Sequence, residues 1–266
     1  MKRIGISDLE IKTIRTYKKS SKDNNVVLVE DLSILAMVKE YGICVKTFLV
    51  CPEICNKGEN VTLIHELEAI AEKSFEISKK TYEFITEKEN SAGLFAVVEK
   101  NFNDLSLLKK NNQFVLVLDH MEIPGNLGTI LRTADATGVD LVLNVDSVTS
   151  INHPKVTIAS RGMNLVVPVL NMTYEDASKH LCHNGFDIFL GEPMFGKDFR
   201  EYDYLGKVAI VVGSERFGIQ QNWYQQGHKK VFIPMKGKMR SLNVGVAASL
   251  LLYEVSMKKS KEKTTQ

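Results

Sequence analysis

The run Phe114-Val-Leu-Val-Leu118, followed shortly by Asn126-Leu127-Gly128-Thr129-Ile130-Leu131-Arg132, passes from continuously apolar residues to small and polar ones. A strand apolar on both faces belongs in a parallel sheet covered by helices. The change of residue type after it marks a loop where a binding site is built. The same change recurs twice. Val208-Ala-Ile-Val-Val212 leads into Gly213-Ser214-Glu215-Arg216-Phe217-Gly218, and Val231-Phe-Ile-Pro234 precedes Ser241-Leu242-Asn243-Val244, which opens an apolar helix. The pattern predicts strands over residues 114–118, 140–145, 165–170, 187–190, 207–212 and 230–233, with helices over 128–137, 174–184, 220–226 and 242–257. Such alternation implies an open α/β sheet whose ligands bind beyond the C-terminal ends of the strands.

Each motif has a chemical and a plain structural reading. Asn126 offers an amide between Gly125 and Gly128, and a helix starting here would aim free N–H groups outward. Arg132 would then lie about one and a half turns in. The plain reading is a capped helix whose arginine pairs with a nearby carboxylate. Glu215 follows a buried strand, where a charge must be paired or used, and Gly213 and Gly218 let the chain pass close to a ligand. A βα turn with a capping Glu would look the same. Ser241 can cap a helix beginning at Leu242, and Asn243, one step into that helix, needs partners if buried. The face Leu242, Val246, Ser249, Leu250 and Tyr253 suits core or dimer packing. The GxGxxG pattern of dinucleotide sites is missing from the first motif.

The preceding half reads as a smaller α/β unit: strands over 26–29, 44–50 and 93–98, helices over 32–39, 64–73 and 78–88. Residues 101–113 are polar and asparagine-rich, a linker. The expected division is an N-terminal domain 1–100 with a basic leader helix, the linker 101–113, a second domain 114–258, and a flexible tail 259–266. Lys2, Arg3, Lys12, Arg15, Lys18, Lys19 and Lys22 make the N-terminus basic, and Lys229, Lys230, Lys236, Lys238 and Arg240 cluster before the third motif, where phosphate contact is expected. The net charge of +2 does not by itself announce a nucleic-acid partner. Cys44, Cys51, Cys55 and Cys182 lack paired spacing and are read as reduced, with no metal site at the His180-Leu-Cys-His183 stretch. No membrane span or apolar signal core is visible, so a cytoplasmic protein is expected.

The order and spacing of the three motifs resemble the SpoU family of RNA ribose 2′-O-methyltransferases, within the SPOUT class. That family carries an Asn and an Arg in its first motif, a Glu in its second and a Ser-x-Asn in its third; Asn126, Arg132, Glu215, Ser241 and Asn243 match. The resemblance covers roughly residues 114–257. In the first half, Asn25-Val-Val-Leu-Val-Glu30 and Ala92-Gly-Leu-Phe-Ala-Val97 look like the ends of the small RNA-binding domain that precedes many SpoU catalytic domains. The run from Asp146-Ser147 to Ala159-Ser160-Arg161-Gly162, then Val167-Pro168-Val169, is similar to the thiostrepton-resistance ribosomal RNA methyltransferases, which modify an adenosine ribose in large-subunit rRNA.

The resemblance implies a mostly parallel C-terminal sheet with a deep trefoil knot, a homodimer, and RNA as partner, with ribosomal RNA favoured over tRNA. It implies S-adenosylmethionine as methyl donor, surrounded by Leu190, Gly191, Gly213, Ser214, Glu215, Ile233, Met235, Ser241, Leu242 and Asn243, with Arg161 as a second site arginine. It makes Arg132 the residue that activates the 2′-hydroxyl, with Asn126, Glu215, Ser241 and Asn243 around it, and requires no metal. Because arginine stays protonated, its expected role is a cation that stabilises the forming alkoxide while a neighbouring phosphate takes the proton. A tRNA enzyme and a non-catalytic RNA-binding protein of the same fold are the competing readings.

Overall fold

The computed structural model describes residues 1–19, 25–55, 57–86, 92–109 and 113–265. Lys22, the end of the expected 78–88 helix, residues 110–112 of the expected linker and the terminal Gln266 lie outside the described residues. The chain forms two compact units, residues 1–101 with 150–166, and residues 102–149 with 167–266.

The first unit runs β1 (Lys2–Ile4), α1 (Leu9–Lys19), β2 (Val26–Val29), α2 (Leu32–Glu40), β3 (Cys44–Val50), α3 (Lys57–Ile70), β4 (Ala71–Ile77), α4 (Lys79–Ile85) and β5 (Leu94–Glu99). Its sheet has the order β1-β4-β3-β5-β2, with β1, β4 and β3 parallel and β5 antiparallel to both β3 and β2. Asp31 caps α2 and Ser78 caps α4 through side-chain oxygens, a device worth about 1 kcal/mol each. The expected helix over 64–73 is corrected. It ends at Ile70, and Ala71 begins a strand that pairs with Val45, so the sheet takes residues whose local pattern also suits a helix.

The second unit runs β6 (Phe114–Asp119), α5 (Pro124–Ala136) and β7 (Leu141–Val145). The chain then contributes α6 (Pro154–Ala159) and α7 (Met163–Val166) to the first unit before resuming with β8 (Val169–Met172). There follow α8 (Tyr174–His183), β9 (Asp187–Glu192), β10 (Lys197–Asp198), β11 (Val208–Gly213), β12 (Lys229–Phe232) and α9 (Val244–Thr265). The sheet order is β10-β12-β9-β11-β6-β7-β8, parallel throughout. All the residues of β6, β7 and β11 are buried, as expected for strands covered on both faces.

Several expected boundaries change. The strand expected over 165–170 begins only at Val169. Residues 163–166 form the helical turn α7 instead, where Asn164, fully buried, donates to Ile151 O at 3.1 Å and Thr157 Oγ1 at 3.0 Å. This segment takes residues 150–166 out of the expected 114–258 domain. The expected linker is partly packed: Phe102 is buried, Leu105–Leu107 form a 3₁₀ turn, and Phe102 O accepts Asn171 N at 2.7 Å. The 220–226 helix is a 3₁₀ helix over Gln221–Gln226. The expected flexible tail is helical through Thr265, anchored where Lys258 Nζ donates to Arg200 O and Tyr202 O, both at 2.6 Å.

Lys100, just beyond β5, is half-buried and donates to Asn164 O at 3.1 Å and Leu165 O at 2.8 Å. Burial lowers its ammonium from 10.5 to about 7. The folded state therefore releases this proton near pH 7, whereas the unfolded chain holds it up to about 10.5. Between those values the unfolded state binds more protons, so stability rises with pH, with a slope approaching about 1.36 kcal/mol per pH unit. Urea unfolding at pH 7.5 and 9.5 should show the gain, and Lys100→Met should flatten it; equal slopes in both proteins would refute the assignment.

Candidate active site

A cavity of about 590 Å³ opens at the C-terminal ends of β9, β11 and β12, where α5 and α9 begin. Of the residues expected around the donor, Gly191, Gly213, Ser214, Glu215, Ile233, Met235, Ser241, Leu242 and Asn243 line it, and so does Asn126. All come from the second unit. Three expected residues stand elsewhere. Leu190 is fully buried in the core cluster of the sheet, one residue before the cavity begins. Arg161 belongs to the first unit, exposed, with φ of 55°. Arg132 is exposed on α5, makes no hydrogen bond or ion pair among the described residues, and is outside the cavity lining. Six residues beyond Asn126, it lies ~9 Å along the helix and ~240° around it.

A chain of side-chain hydrogen bonds joins the three motifs. Gly245 N donates to Asn243 Oδ1 at 2.9 Å, Asn243 Nδ2 donates to Asn126 Oδ1 at 3.1 Å, and Asn126 Nδ2 donates to Glu215 Oε1 at 2.7 Å. Each amide uses its acceptor on one side and its donor on the other, so the orientation of every member is determined by the next. The relay ends at Glu215, whose second oxygen, Oε2, is buried without a partner among the described residues. A buried carboxylate oxygen in a cavity wall is a ready acceptor for a ligand donor or cation.

The local structure corrects several expected roles. Helix α5 starts at Pro124, a residue whose fixed φ and missing N–H suit a first helical position. Asn126 therefore sits inside the first turn, and it contacts Glu215 and Asn243. Asn243, exposed, takes the capping role expected of Ser241: its Oδ1 accepts from Gly245 and its backbone oxygen from Ala247 at 2.9 Å. The expected apolar face of α9 divides. Ala248, Leu251, Leu252 and Val255 face the core, while Val246, Leu250, Tyr253 and Met257 are 49, 42, 51 and 59% exposed. Of the expected basic cluster, Lys229 is paired with Asp187 at 2.8 Å and Lys230 lies over the Tyr224 ring; Lys236, Lys238 and Arg240 are exposed in the loop beside Met235 and Ser241.

The turn carrying Glu215 is tightly built. Ser214 N donates to Gly218 O at 3.0 Å, Gly218 N to Ser214 O at 2.9 Å, and Ser214 Oγ accepts Phe217 N at 3.1 Å. Gly218 has φ of 72°. A Cβ on Gly213 would stand 2.1 Å from the Gly218 carbonyl carbon, so the folded-back chain itself requires glycine there.

Asp119 closes the far end of this turn, and sequence reasoning missed it. Fully buried at the end of β6, its carboxylate accepts Gln220 N at 2.6 Å and Gln220 Nε2 at 2.7 Å, and burial pushes its acid up. The available signal was an acidic residue ending an otherwise apolar strand. Glu192 and Tyr224 also line the cavity; the phenol donates to the carboxylate, and burial, then Glu192, holds its acidity down. Among the described residues no group of three His, Cys, Asp or Glu could hold a metal ion, and none of the four cysteines is in a disulfide. Among the same residues no helix is long and apolar enough to cross a membrane.

A model of the SpoU rRNA methylase family matches residues 113–253, more than half of the chain. The chain belongs to that family. Among similar proteins, the 23S rRNA (guanosine(2553)-2′-O)-methyltransferase RlmP of Bacillus subtilis is 27% identical over 92% of this chain and 93% of its own. A putative TrmH family tRNA/rRNA methyltransferase of Staphylococcus saprophyticus is 40% identical over 55% of this chain, which spans 59% of that protein. In solved structures, an RNA 2′-O ribose methyltransferase aligns over 98% of this chain and 100% of its own, at 27% identity and a TM-score of 0.78. The AdoMet-bound rRNA methyltransferase of Sinorhizobium meliloti shares the fold, with a TM-score of 0.82 over 96% of this chain and 97% of its own at 22% identity. At the level of the family the SpoU chain is an RNA methyltransferase, and the relatives' names span both rRNA and tRNA.

Proposed function

We propose that the protein transfers the methyl group of S-adenosylmethionine to a ribose 2′-hydroxyl of RNA, in large-subunit ribosomal RNA. The observation that carries this is the relay Asn243–Asn126–Glu215, which joins the three motifs on one cavity wall. The near full-length match to an enzyme named for 23S rRNA supports the choice of RNA. The cavity volume is of the size that takes a small cofactor, and the orphaned Glu215 oxygen fits a donor that carries cationic and N–H groups. Residues of the walls at Gly191, Gly213, Ile233, Met235 and Leu242 would hold it, largely through backbone groups. When bound, S-adenosylmethionine supplies a methyl group on a sulfonium leaving atom.

The chain's own task is to orient the ribose and favour its alkoxide. Arg132, free of any ion pair among the described residues, supplies the positive charge for that oxygen, and the neighbouring phosphate accepts its proton. Alignment of the two reactants contributes up to ~7–11 kcal/mol in the best cases. The exposed loop with Lys236, Lys238 and Arg240 takes RNA phosphates beside the cavity, and the first unit, with Arg161 on its surface, selects the RNA. The trefoil knot belongs to the same reading, supported by the likeness of fold to the solved RNA methyltransferase structures. So does a homodimer, supported by the outward apolar stripe of α9.

The test is a calorimetric titration with S-adenosylmethionine, followed by transfer of labelled methyl to 50S subunits, 23S rRNA and tRNA and mapping of the modified ribose. Saturable donor binding and a single modified position in 23S rRNA are expected. A titration without heat and RNA without label would end the proposal; label confined to tRNA would replace the substrate.

A further inference from the structure

A second concavity, of about 600 Å³, lies wholly within the first unit, between α1 and α4. We propose that it binds the phosphodiester backbone of a single-stranded RNA segment, with one base laid against the Arg15–Phe84 pair. This rests on the reading of the chain as an RNA methyltransferase and goes beyond it by naming where the first unit grips the RNA.

The helices themselves create the groove. In α1, Ile11 and Ile14 are buried, which turns Lys12 and Arg15 outward on the opposite face. In α4, Tyr82 and Ile85 are buried, leaving Lys80 exposed and Phe84 half-buried one turn later. Lys12, Arg15, Lys80 and Phe84 all line the groove, with the exposed hydroxyl of Ser7, and no acidic residue does. Elsewhere in the unit many cations are already neutralised: Arg3 by Glu53 at 2.8 Å, Lys39 by Glu66 at 2.8 Å, Lys46 by Glu72 and Glu99 at 2.8 Å each, and Lys73 by Glu10. Lys12, Arg15 and Lys80 make no ion pair among the described residues. Positive charge gathered from both walls, without a counter-charge among the described lining residues, is suited to a polyanion.

The aromatic component selects the class of polyanion. The Arg15 guanidinium stands 4.1 Å from the Phe84 ring centroid, a cation–π pair that fixes an otherwise mobile side chain. Bases stack on aromatic rings and on guanidinium planes once they are freed from a duplex. A basic groove with such a platform suits unpaired nucleotides; an A-form helix keeps its bases stacked internally and offers phosphates alone.

The experiment measures fluorescence anisotropy of the full chain with a fluorescein-labelled, mixed-sequence single-stranded RNA and with its duplex. The Lys12→Ala/Lys80→Ala variant should bind the single strand roughly tenfold more weakly, and its log K against log salt slope should fall by about 1.4, about 0.7 for each phosphate no longer neutralised. Lys12→Arg/Lys80→Arg should retain wild-type binding, and Arg15→Lys should weaken the single strand while leaving the duplex unchanged. Unaltered S-adenosylmethionine binding in each variant reports an intact second unit, and unaltered circular dichroism an intact first. Wild-type affinity and salt slope in the double alanine variant overturn the groove, as does a duplex bound more tightly than the single strand. A wild-type chain that methylates rRNA alongside such a result leaves the functional reading standing; a wild-type chain without methyl transfer brings that reading down while the anisotropy still judges the groove.

Discussion

Replacing Arg132 with alanine should lower methyl transfer roughly 10²–10³-fold, the usual cost of removing one donor that stabilises a developing oxyanion. S-adenosylmethionine affinity should stay within a fewfold, because Arg132 is outside the cavity lining and takes no part in the Asn243–Asn126–Glu215 relay. The separation of the two effects is the informative part. A residue that merely braced α5 would change donor affinity and turnover together, whereas an exposed guanidinium with no ion pair among the described residues can be removed with little structural consequence. Arg132→Lys should recover part of the rate, since it restores charge without the planar fork. Single-turnover transfer of labelled methyl, paired with calorimetric donor binding, reads both quantities. Wild-type turnover in the alanine variant would remove Arg132 from the chemistry.

Gly213→Ala should abolish detectable donor binding and destabilise the protein by ~1–3 kcal/mol or more, as overpacking against fixed atoms does. The added Cβ would meet Gly218 C at 2.1 Å and Ile219 N at 2.2 Å, both backbone atoms that no rotamer change can move. Relief requires shifting the turn that carries Glu215, and that turn is clamped at Gln220 by Asp119. Gly125→Ala is the matched control. Its Cβ would meet nothing within 4 Å in the first turn of α5, so stability should hold or rise by ~0.5–1 kcal/mol, the helical advantage of alanine over glycine. Denaturant midpoints and calorimetry on both variants test the pair; equal donor binding in Gly213→Ala and wild type would show that the turn can yield.

The strand pattern was legible where burial acts locally. The apolar runs at β6, β7 and β11 read as covered parallel strands from their composition and are fully buried in a parallel sheet. Where a short apolar run admits two conformations, local burial does not choose between them. Leu165 to Val167 read as strand, yet the buried amide of Asn164 holds the preceding turn in a helix. The lysine-rich end of the chain read as a tail because its residues are polar. Polarity does not prevent a helix, and Lys258 has backbone carbonyls within reach on a different segment.

The amino-acid sequence by itself determined the alternation of buried strands and helices, the junctions at which polar residues collect, and the residue types Asn126, Arg132, Glu215, Ser241 and Asn243, because these follow from local periodicity and chemistry. Only the tertiary structure decided their partners. Asn126 meets Glu215 across 89 residues and Asn243 across 117, contacts that depend on which strand lies beside which. The same sheet order placed Leu190 in the core and Arg132 outside the cavity lining, and divided α9 between a buried face and an exposed one. A side chain's chemistry is local, but the atoms it faces are chosen by the packing of distant segments.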